Sequence, residues 1–231
     1  MLEWRSFQQP IDLENAAAAF VLSCAQLSIE RQHRFRLVMA GGQTPSGVYR
    51  VLRDAPTDWS CWHIYFSDER CVARDDAQSN SRMARDCLLD YVPIPDSQIH
   101  VIPTELGADG AAASYDALLQ THTPFDLVLL GVGEDGHTAS LFPGQVTDTD
   151  RWTVAVHDAP KPPSERVSLS VRALRTTANV LVITSGIGKR DAIAAWRAGK
   201  SLPIKTVTEG LSGLVVTDFN ALDSRGSVRL G

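Results

Sequence analysis

The chain has 231 residues, of which 44% are hydrophobic and 21% are charged, and its formal net charge is −5. This composition can bury an ordinary core in one α/β domain, and the modest negative charge gives no indication of a nucleic-acid or anionic-membrane partner. The N-terminal sequence has no signal-peptide pattern, and no apolar run approaches the ~20 residues needed to span a bilayer.

The number and spacing of the cysteines indicate a reducing compartment and argue against a structural metal site. The cysteines form neither a CxxC pair nor a metal-ligand spacing with histidine, and they are Cys24, Cys61, Cys71 and Cys87. We interpret them as free thiols in a reducing cytosol. We therefore expect a cytoplasmic protein with no structural metal.

The first predicted elements are a helix over residues 12–31 and a strand over 35–40. Apolar side chains recur in the helix at three- and four-residue spacing, and Asp12 is its predicted N-cap. The strand runs directly into a glycine loop at residues 41–46, in which Thr44 suits an N-cap before a proline. Such a loop can bind an anion, because free backbone N–H groups and the positive end of the helix dipole point outward. The pattern alone is weak, since many such turns bind nothing.

A second strand, predicted over residues 62–66, leads into the charged run at 68–70. Three charged residues cannot all be buried without partners, so solvated loop residues are the commoner interpretation. On the same sheet edge as the glycine loop, however, they would face the same crevice. The elements predicted next are a helix over 81–89, a strand over 99–102 and a helix over 106–119.

The apolar run at residues 125–130 predicts a buried parallel strand. Three glycines interrupt the chain after it, and His137 follows them. Ligands of open α/β sheets bind just beyond the carboxyl ends of the strands, so His137 lies where chemistry is expected. The alternative is that His137 is only a polar residue at a helix start.

Two further strands are predicted over residues 152–156 and 166–169, on either side of a proline-rich loop at 158–163. The simplest interpretation is an antiparallel pair added to the parallel sheet. The alternative is a lid or small sub-domain over the pocket, within residues 144–175.

The last predicted elements are a strand over 178–184, a helix over 190–198 and a strand over 214–217, followed by a polar tail. The turn before the helix carries Lys189, which opposes the helix dipole unless an anion compensates it. This makes Lys189 a better phosphate candidate than an ordinary surface lysine. Because strands alternate with helices, residues 1–231 are predicted to form a single α/β domain. Its sheet is expected to be mostly parallel, doubly wound and Rossmann-like, with helices on both faces and a small antiparallel or lid addition.

These motifs resemble the 6-phosphogluconolactonase family, in the superfamily that includes glucosamine-6-phosphate deaminase. The segments that carry the resemblance are 40–45, 66–72, 80–84, 131–143, 163–169 and 186–189. It implies a fold shared with the deaminases and ribose-5-phosphate isomerase. The implied activity is hydrolysis of 6-phospho-D-glucono-1,5-lactone to 6-phosphogluconate in the oxidative pentose phosphate pathway, without a metal or organic cofactor. Two features depart from the family pattern: Ser81 replaces a common tyrosine in one pocket wall, and residues 201–231 match poorly.

The resemblance also implies that His137 is the catalytic base. Asp135 is a candidate to orient its imidazole, and Asp68 is a third catalytic candidate without an assigned step. The expected substrate and phosphate contacts are Gly41, Gly42, Gln43, Thr44, Arg70, Arg166 and Lys189. The expected partner is a phosphorylated sugar lactone, bound by a monomer or a weak homodimer.

Lactone hydrolysis needs a positioned water, a base and stabilisation of an oxyanion. A free histidine has a pKa of about 6.5, so a neutral imidazole can accept a proton from water near neutral pH. General-base assistance is worth about 10²–10⁴-fold, so positioning and oxyanion stabilisation must supply more. Backbone N–H groups near residues 41–42 and near 131–133 are both candidates for the oxyanion contacts.

Two other functions fit parts of the pattern. A glucosamine-6-phosphate deaminase has a supporting glutamate where this chain has Phe142, and a tyrosine where it has Arg70. A sugar-phosphate-binding effector module needs the anion loops but not His137, and it usually comes with a DNA-binding segment, for which the sequence offers no candidate. Both functions therefore rank below the lactonase.

Overall fold

The computed structural model describes residues 1–145 and 149–222. Most of the polar tail predicted after residue 217 lies outside the described residues, as do residues 146–148 of the segment in which a lid was predicted.

Strands and helices alternate along most of the chain. The strands are β1 (Leu2–Phe7), β2 (Phe35–Met39), β3 (Trp62–Phe66), β4 (Asp68–Arg70), β5 (Phe125–Leu130), β6 (Thr153–Val156), β7 (Arg166–Leu169), β8 (Thr177–Thr184) and β9 (Gly213–Asp218). The α-helices are α1 (Pro10–Gln32), α2 (Gln43–Leu52), α3 (Asn80–Ala84), α4 (Gly107–His122), α5 (Val171–Arg175), α6 (Arg190–Arg197) and α7 (Pro203–Thr208). A π-helical turn, Arg85–Leu89, continues α3.

The main sheet has six strands in the order β1-β9-β8-β5-β2-β3, and all its pairings are parallel. The chain passes from β2 to β3 at one edge and then returns through β5, β8 and β9 on the other side of β2. The connections after β2 and β5 therefore diverge and leave a crevice at their carboxyl ends, which is where such sheets bind ligands. Every residue of β5 is buried, so both faces of the sheet are covered there. The predicted mostly parallel fold is confirmed.

A second, antiparallel sheet has the order β4-β7-β6. The predicted β6–β7 pair is confirmed, but its predicted attachment to the parallel sheet is wrong because its partner is the charged strand β4. The interpretation of residues 68–70 as solvated is also wrong for Asp68 and Glu69, which are buried. The Glu69 carboxylate accepts backbone N–H groups from Arg70, Asn80 and Ser81, and these partners permit its burial. Burial raises the pKa of Glu69, although the same N–H groups oppose the shift.

Several predicted element ends are wrong. Helix α1 begins at Pro10 with Gln9 as the N-cap, so Asp12 lies in its first turn. Helix α2 begins after Gly42, which is the N-cap at a φ of 109°, so Thr44 is a residue of the helix and does not cap it. The predicted strand at 99–102 is reduced to one isolated bridge between Ile64 and Ile99.

Strand β1 was not predicted. It pairs with β9 at the edge of the main sheet. Its first four residues alternate between partly buried and exposed, and of all six only the polar Ser6 is fully buried. An edge strand that buries so little apolar surface leaves a weak signal in the sequence.

The core lies between the main sheet and its helices. Helix α1 packs against β5, β8 and β9, whereas α4 packs against β6 and β7 of the small sheet. The buried face of α1 is rich in alanine and other small side chains, which lets the helix approach the sheet closely. Within residues 1–145 and 149–222, no helix is both long enough and apolar enough to cross a membrane.

Candidate active site

A cavity of about 530 Å³ opens at the carboxyl ends of the central parallel strands. All the residues predicted for the site except Asp135 line this cavity, and they are Gly41, Gly42, Gln43, Thr44, Asp68, Arg70, His137, Arg166 and Lys189. The loops after β2, β5 and β8 and the small sheet thus contribute to one space. In particular, His137 and Lys189 face the same cavity.

The loop after β5 positions His137 through Asp135. The Nδ1 atom of His137 lies 2.5 Å from Asp135 Oδ1, and the backbone N–H of His137 donates to the same oxygen at 3.1 Å. Partial burial opposes ionisation of Asp135, but these hydrogen bonds outweigh it and lower the pKa of its carboxyl. Because Nδ1 is engaged by a carboxylate, Nε2 is the nitrogen left for proton transfer.

Gly133 makes room for this imidazole. A Cβ atom at position 133 would lie 2.0 Å from His137 Nδ1, so no other residue fits without moving the ring. The N–H of Gly133 donates to the carbonyl of His137 at 2.8 Å, which folds the loop back on itself. On the other side, the ring of Phe142 packs 4.7 Å from the imidazole, centroid to centroid.

Asp68 belongs to a buried hydrogen-bond network beside the glycine loop. Its carboxylate accepts the hydroxyls of Ser67 at 2.9 Å and Ser140 at 2.7 Å, and its carbonyl accepts Nδ2 of Asn80 at 2.9 Å. Asn80 in turn packs on Gly41, where a Cβ atom would lie 2.0 Å from Asn80 Oδ1. The network therefore joins the charged strand β4 to the loop that follows β2.

Arg70 and Arg166 are direct neighbours in the pairing of β4 with β7. Like charges opposite each other destabilise a sheet, so this arrangement favours an anion between or beside them. Arg70 donates to the carbonyl of Gln78 at 2.7 Å, and its buried Nε has no hydrogen-bond partner within the described part of the chain. Burial, followed by the charge of Arg70, lowers the pKa of Arg166.

The glycine loop after β2 and the turn after β8 meet at another part of the cavity wall. The hydroxyl oxygens of Thr44 and Ser185 lie 2.9 Å apart, so Thr44 links two loops where it was predicted to cap a helix. Lys189 is partly buried, and this burial lowers its pKa, although the charge of Glu134 opposes the shift. Lys189 forms no ion pair with any other described residue, which leaves its ammonium available to an anion.

Sequence reasoning assigned no role to four residues that complete this site. Three of them line the cavity: Asn80, Ser185 and Lys161. The fourth, Ser140, donates a hydrogen bond from its hydroxyl to the Asp68 carboxylate. Asn80 belongs to the segment 80–84 that carries the family resemblance, and Lys161 belongs to the proline-rich loop for which a lid was an alternative. Neither sequence pattern indicates the direction in which these side chains point. Within the described ranges, no group of three or more His, Cys, Asp or Glu side chains is placed to hold a metal ion.

A model of the family of glucosamine-6-phosphate isomerases and 6-phosphogluconolactonase matches residues 8–216. The chain belongs to this family. Among the relatives, a 6-phosphogluconolactonase of Mycobacterium leprae is 37% identical over 209 residues, which are 84% of this chain and 85% of the relative. A chloroplastic 6-phosphogluconolactonase of Arabidopsis thaliana is 34% identical over 198 residues, 77% of this chain and 61% of the relative.

Solved structures of the family share the fold. A 6-phosphogluconolactonase from Thermotoga maritima superimposes with a TM-score of 0.88 at 27% identity and covers 94% of this chain and 100% of that one. A monomeric glucosamine-6-phosphate deaminase gives a TM-score of 0.82 at 18% identity, over 95% of this chain and 98% of that one. The resemblance predicted from the sequence motifs is confirmed, and the fold itself is common to both activities of the family.

Proposed function

We propose that this protein is a 6-phosphogluconolactonase, an ester hydrolase that opens 6-phospho-D-glucono-1,5-lactone to 6-phosphogluconate in the oxidative pentose phosphate pathway. One observation carries the proposal: an imidazole oriented by a carboxylate faces a cavity that also holds Arg70 and Lys189. The names of the relatives support it.

The proposed chemistry begins with His137. Its Nε2 takes a proton from a bound water, and the water oxygen forms a bond to the lactone carbonyl carbon. The tetrahedral intermediate then breaks the bond from that carbon to the ring oxygen, and the imidazolium returns the proton to the departing oxygen. Asp135 stabilises the imidazolium between the two steps.

The oxyanion needs N–H donors that are not already engaged. Gly133 is a poor candidate because its N–H donates to the carbonyl of His137 at 2.8 Å. The remaining candidates are the backbone N–H groups near residues 41–42 and those of residues 131–132. One such donor is worth about 10²–10³-fold in kcat.

The proposed phosphate contacts follow the sequence prediction. Arg70 offers a planar guanidinium and Lys189 a compact charge, with Gly41, Gly42, Gln43 and Thr44 beside them. Arg166 lies beside Arg70 in the small sheet and is a further proposed contact. Asp68 is proposed to position the surrounding loops through its hydrogen bonds to Ser140 and Asn80. We further propose that residues 1–231 act as one domain in the cytoplasm, as a monomer or weak homodimer, with a phosphorylated sugar lactone as the partner.

A coupled assay tests the proposal. Glucose-6-phosphate dehydrogenase generates the lactone, and its disappearance is timed with and without the purified protein. We expect much faster disappearance with the protein and no release of ammonia from glucosamine 6-phosphate. Ammonia release without lactone hydrolysis would favour the deaminase, and binding of sugar phosphates without either reaction would favour an effector module.

The surroundings of His137 support the lactonase over the deaminase. Phe142 occupies the position at which the deaminase pattern has a supporting glutamate, and its ring packs against the imidazole. The carboxylate that contacts His137 in this chain is Asp135, which lies two residues before it in the same loop.

A further inference from the structure

The loop between β6 and β7 places Lys161 in the wall of the cavity, next to Pro162. The ammonium of Lys161 lies 3.0 Å from Glu134 Oε2. Glu134 immediately precedes Asp135, so this ion pair joins the proline-rich loop to the loop that carries the proposed base. None of the substrate contacts implied by the family resemblance includes Lys161.

Arg166 fixes the backbone of the proline-rich loop. Its Nε donates to the carbonyl of Pro163 at 2.9 Å, and its Nη2 donates to the carbonyls of Lys161 at 2.7 Å and Pro162 at 3.3 Å. Arg166 is only 4% exposed, so this clamp lies beneath the loop. It holds the Lys161 backbone in place, whereas the Lys161 side chain is 51% exposed and can turn toward another partner.

Glu134 also lies against the turn that carries Lys189. A Cβ atom at Gly188 would come within 3.1 Å of Glu134 Oε1. The hydrogen bond and charge of Lys161, followed by the charge of Lys189, lower the pKa of Glu134. The charges of both lysines thus act on one carboxylate beside the cavity. Only Lys161 forms an ion pair with it, so the charge of Lys189 stays available to an incoming anion.

We propose that Lys161 is a further substrate-binding residue, whose ammonium pairs with Glu134 before the substrate binds and then moves to the substrate phosphate, beside Lys189. This inference rests on the proposed function, because it takes the phosphate from the proposed substrate. The exchange is favourable because the Lys161–Glu134 pair is exposed, and exposed pairs contribute little to stability. A phosphate offers the same ammonium a more highly charged acceptor with several oxygens.

The test is Lys161→Met, which keeps the aliphatic stem and removes the charge. We expect KM for the phosphorylated lactone to rise about 10-fold, the effect of losing one charge-assisted hydrogen bond, with kcat nearly unchanged. KM for unphosphorylated glucono-1,5-lactone should stay at the wild-type value. Lys200→Met is the matched control, because Lys200 is exposed and does not line the cavity. Glu134→Gln releases Lys161 and should lower KM for the phosphorylated lactone.

Three results would overturn the inference. An unchanged KM in Lys161→Met, with an active wild type, would remove Lys161 from the binding site and leave the lactonase function standing. An equal rise for both lactones would assign Lys161 to loop folding. A higher KM in Glu134→Gln would contradict the exchange of partners. If the wild type does not hydrolyse the lactone, the proposed function fails separately, and calorimetric binding of 6-phosphogluconate to wild type and Lys161→Met still tests the contact.

Discussion

Histidines lie near both ends of the parallel sheet, but their surroundings differ. At the carboxyl end, His137 contacts the carboxylate of Asp135 and faces an open cavity. Near the amino ends of β2 and β3, His63, His100 and His122 lie close to one another. The two ends contain the same side chain in opposite electrostatic settings.

The cluster near the amino ends lowers the pKa of two of its members, His63 and His100. The His100 ring stacks on Tyr65, with centroids 4.7 Å apart, and lies 6.0 Å from the His63 ring and 5.0 Å from the His122 ring. No carboxylate among the described residues forms an ion pair with these histidines. Burial, together with the neighbouring His122 and His63, lowers the pKa of His100 to about 4.

The comparison indicates what the proposed role of His137 as proton acceptor requires. A carboxylate stabilises the imidazolium that forms during the reaction, and a cavity admits the water that supplies the proton. Where aromatic rings and other bases replace these partners, the imidazole serves as a packing residue. Five predictions test this distinction.

Removing His137 should have the largest effect. His137→Ala is expected to lower kcat by about 10²–10⁴-fold, the usual value of a general base, while the protein stays folded. His100→Phe is the control, because it preserves a ring that stacks on Tyr65 and should leave kcat at neutral pH unchanged. The coupled lactone assay measures both variants, with circular dichroism to check the fold. Wild-type turnover in His137→Ala would remove the base from the mechanism.

Displacing the His137 imidazole should have the second-largest effect on kcat. In Gly133→Ala the new Cβ atom would lie only 2.0 Å from His137 Nδ1. This is too close for both atoms, so the imidazole must leave its position beside Asp135. Misplacement of this kind costs about 10²-fold in kcat. In Gly131→Ala the new Cβ atom would meet no protein atom within 4 Å, so this variant should lose much less turnover than Gly133→Ala, although Gly131 also lines the cavity. Similar losses in both glycine variants would mean that general loop damage, not the ring contact, lowers kcat.

Removing the carboxylate should have a smaller effect. Asp135→Asn keeps the size of the side chain and loses the charge, so we expect kcat to fall at least about 10-fold. The coupled lactone assay measures this loss. Wild-type turnover in Asp135→Asn would show that Asp135 does not act on the imidazole.

The smallest effect at neutral pH is expected for His100, whose role concerns stability. Its folded-state pKa of about 4 lies below the unfolded value of about 6.5. The unfolded chain therefore binds more protons between these values, and native stability falls as the pH falls from about 6.5 to 4. His100→Phe removes this contribution, so its urea midpoint should depend less on pH in that window. An unaltered pH dependence would contradict the lowered pKa.

His157 provides a comparison of opposite sign. Glu165 and Asp109 raise the pKa of His157, so its contribution is present at low pH and is lost as the pH rises through the folded-state value. His157→Gln should therefore weaken the protein mainly at acid pH, which is the reverse of His100→Phe.

Strands that bury both faces were predictable and strands that depend on a partner were not. The mainly apolar segments of β2, β3, β5 and β8 indicate buried parallel strands without further information. Strand β4 consists of three charged residues, and it is a strand because β7 pairs with it and backbone N–H groups satisfy Glu69. Propensity alone does not indicate such a strand, because tertiary contacts decide it.

By itself, the sequence determined the mostly parallel sheet and the loops that gather at its carboxyl edge, because apolar periodicity and glycines act locally along the chain. It also placed His137 and Lys189 in those loops. Only the tertiary structure decided which side chains meet: Arg70 beside Arg166, Lys161 on Glu134 and Thr44 on Ser185. These contacts join residues far apart in the chain, so they depend on strand register and loop packing, which no local pattern encodes.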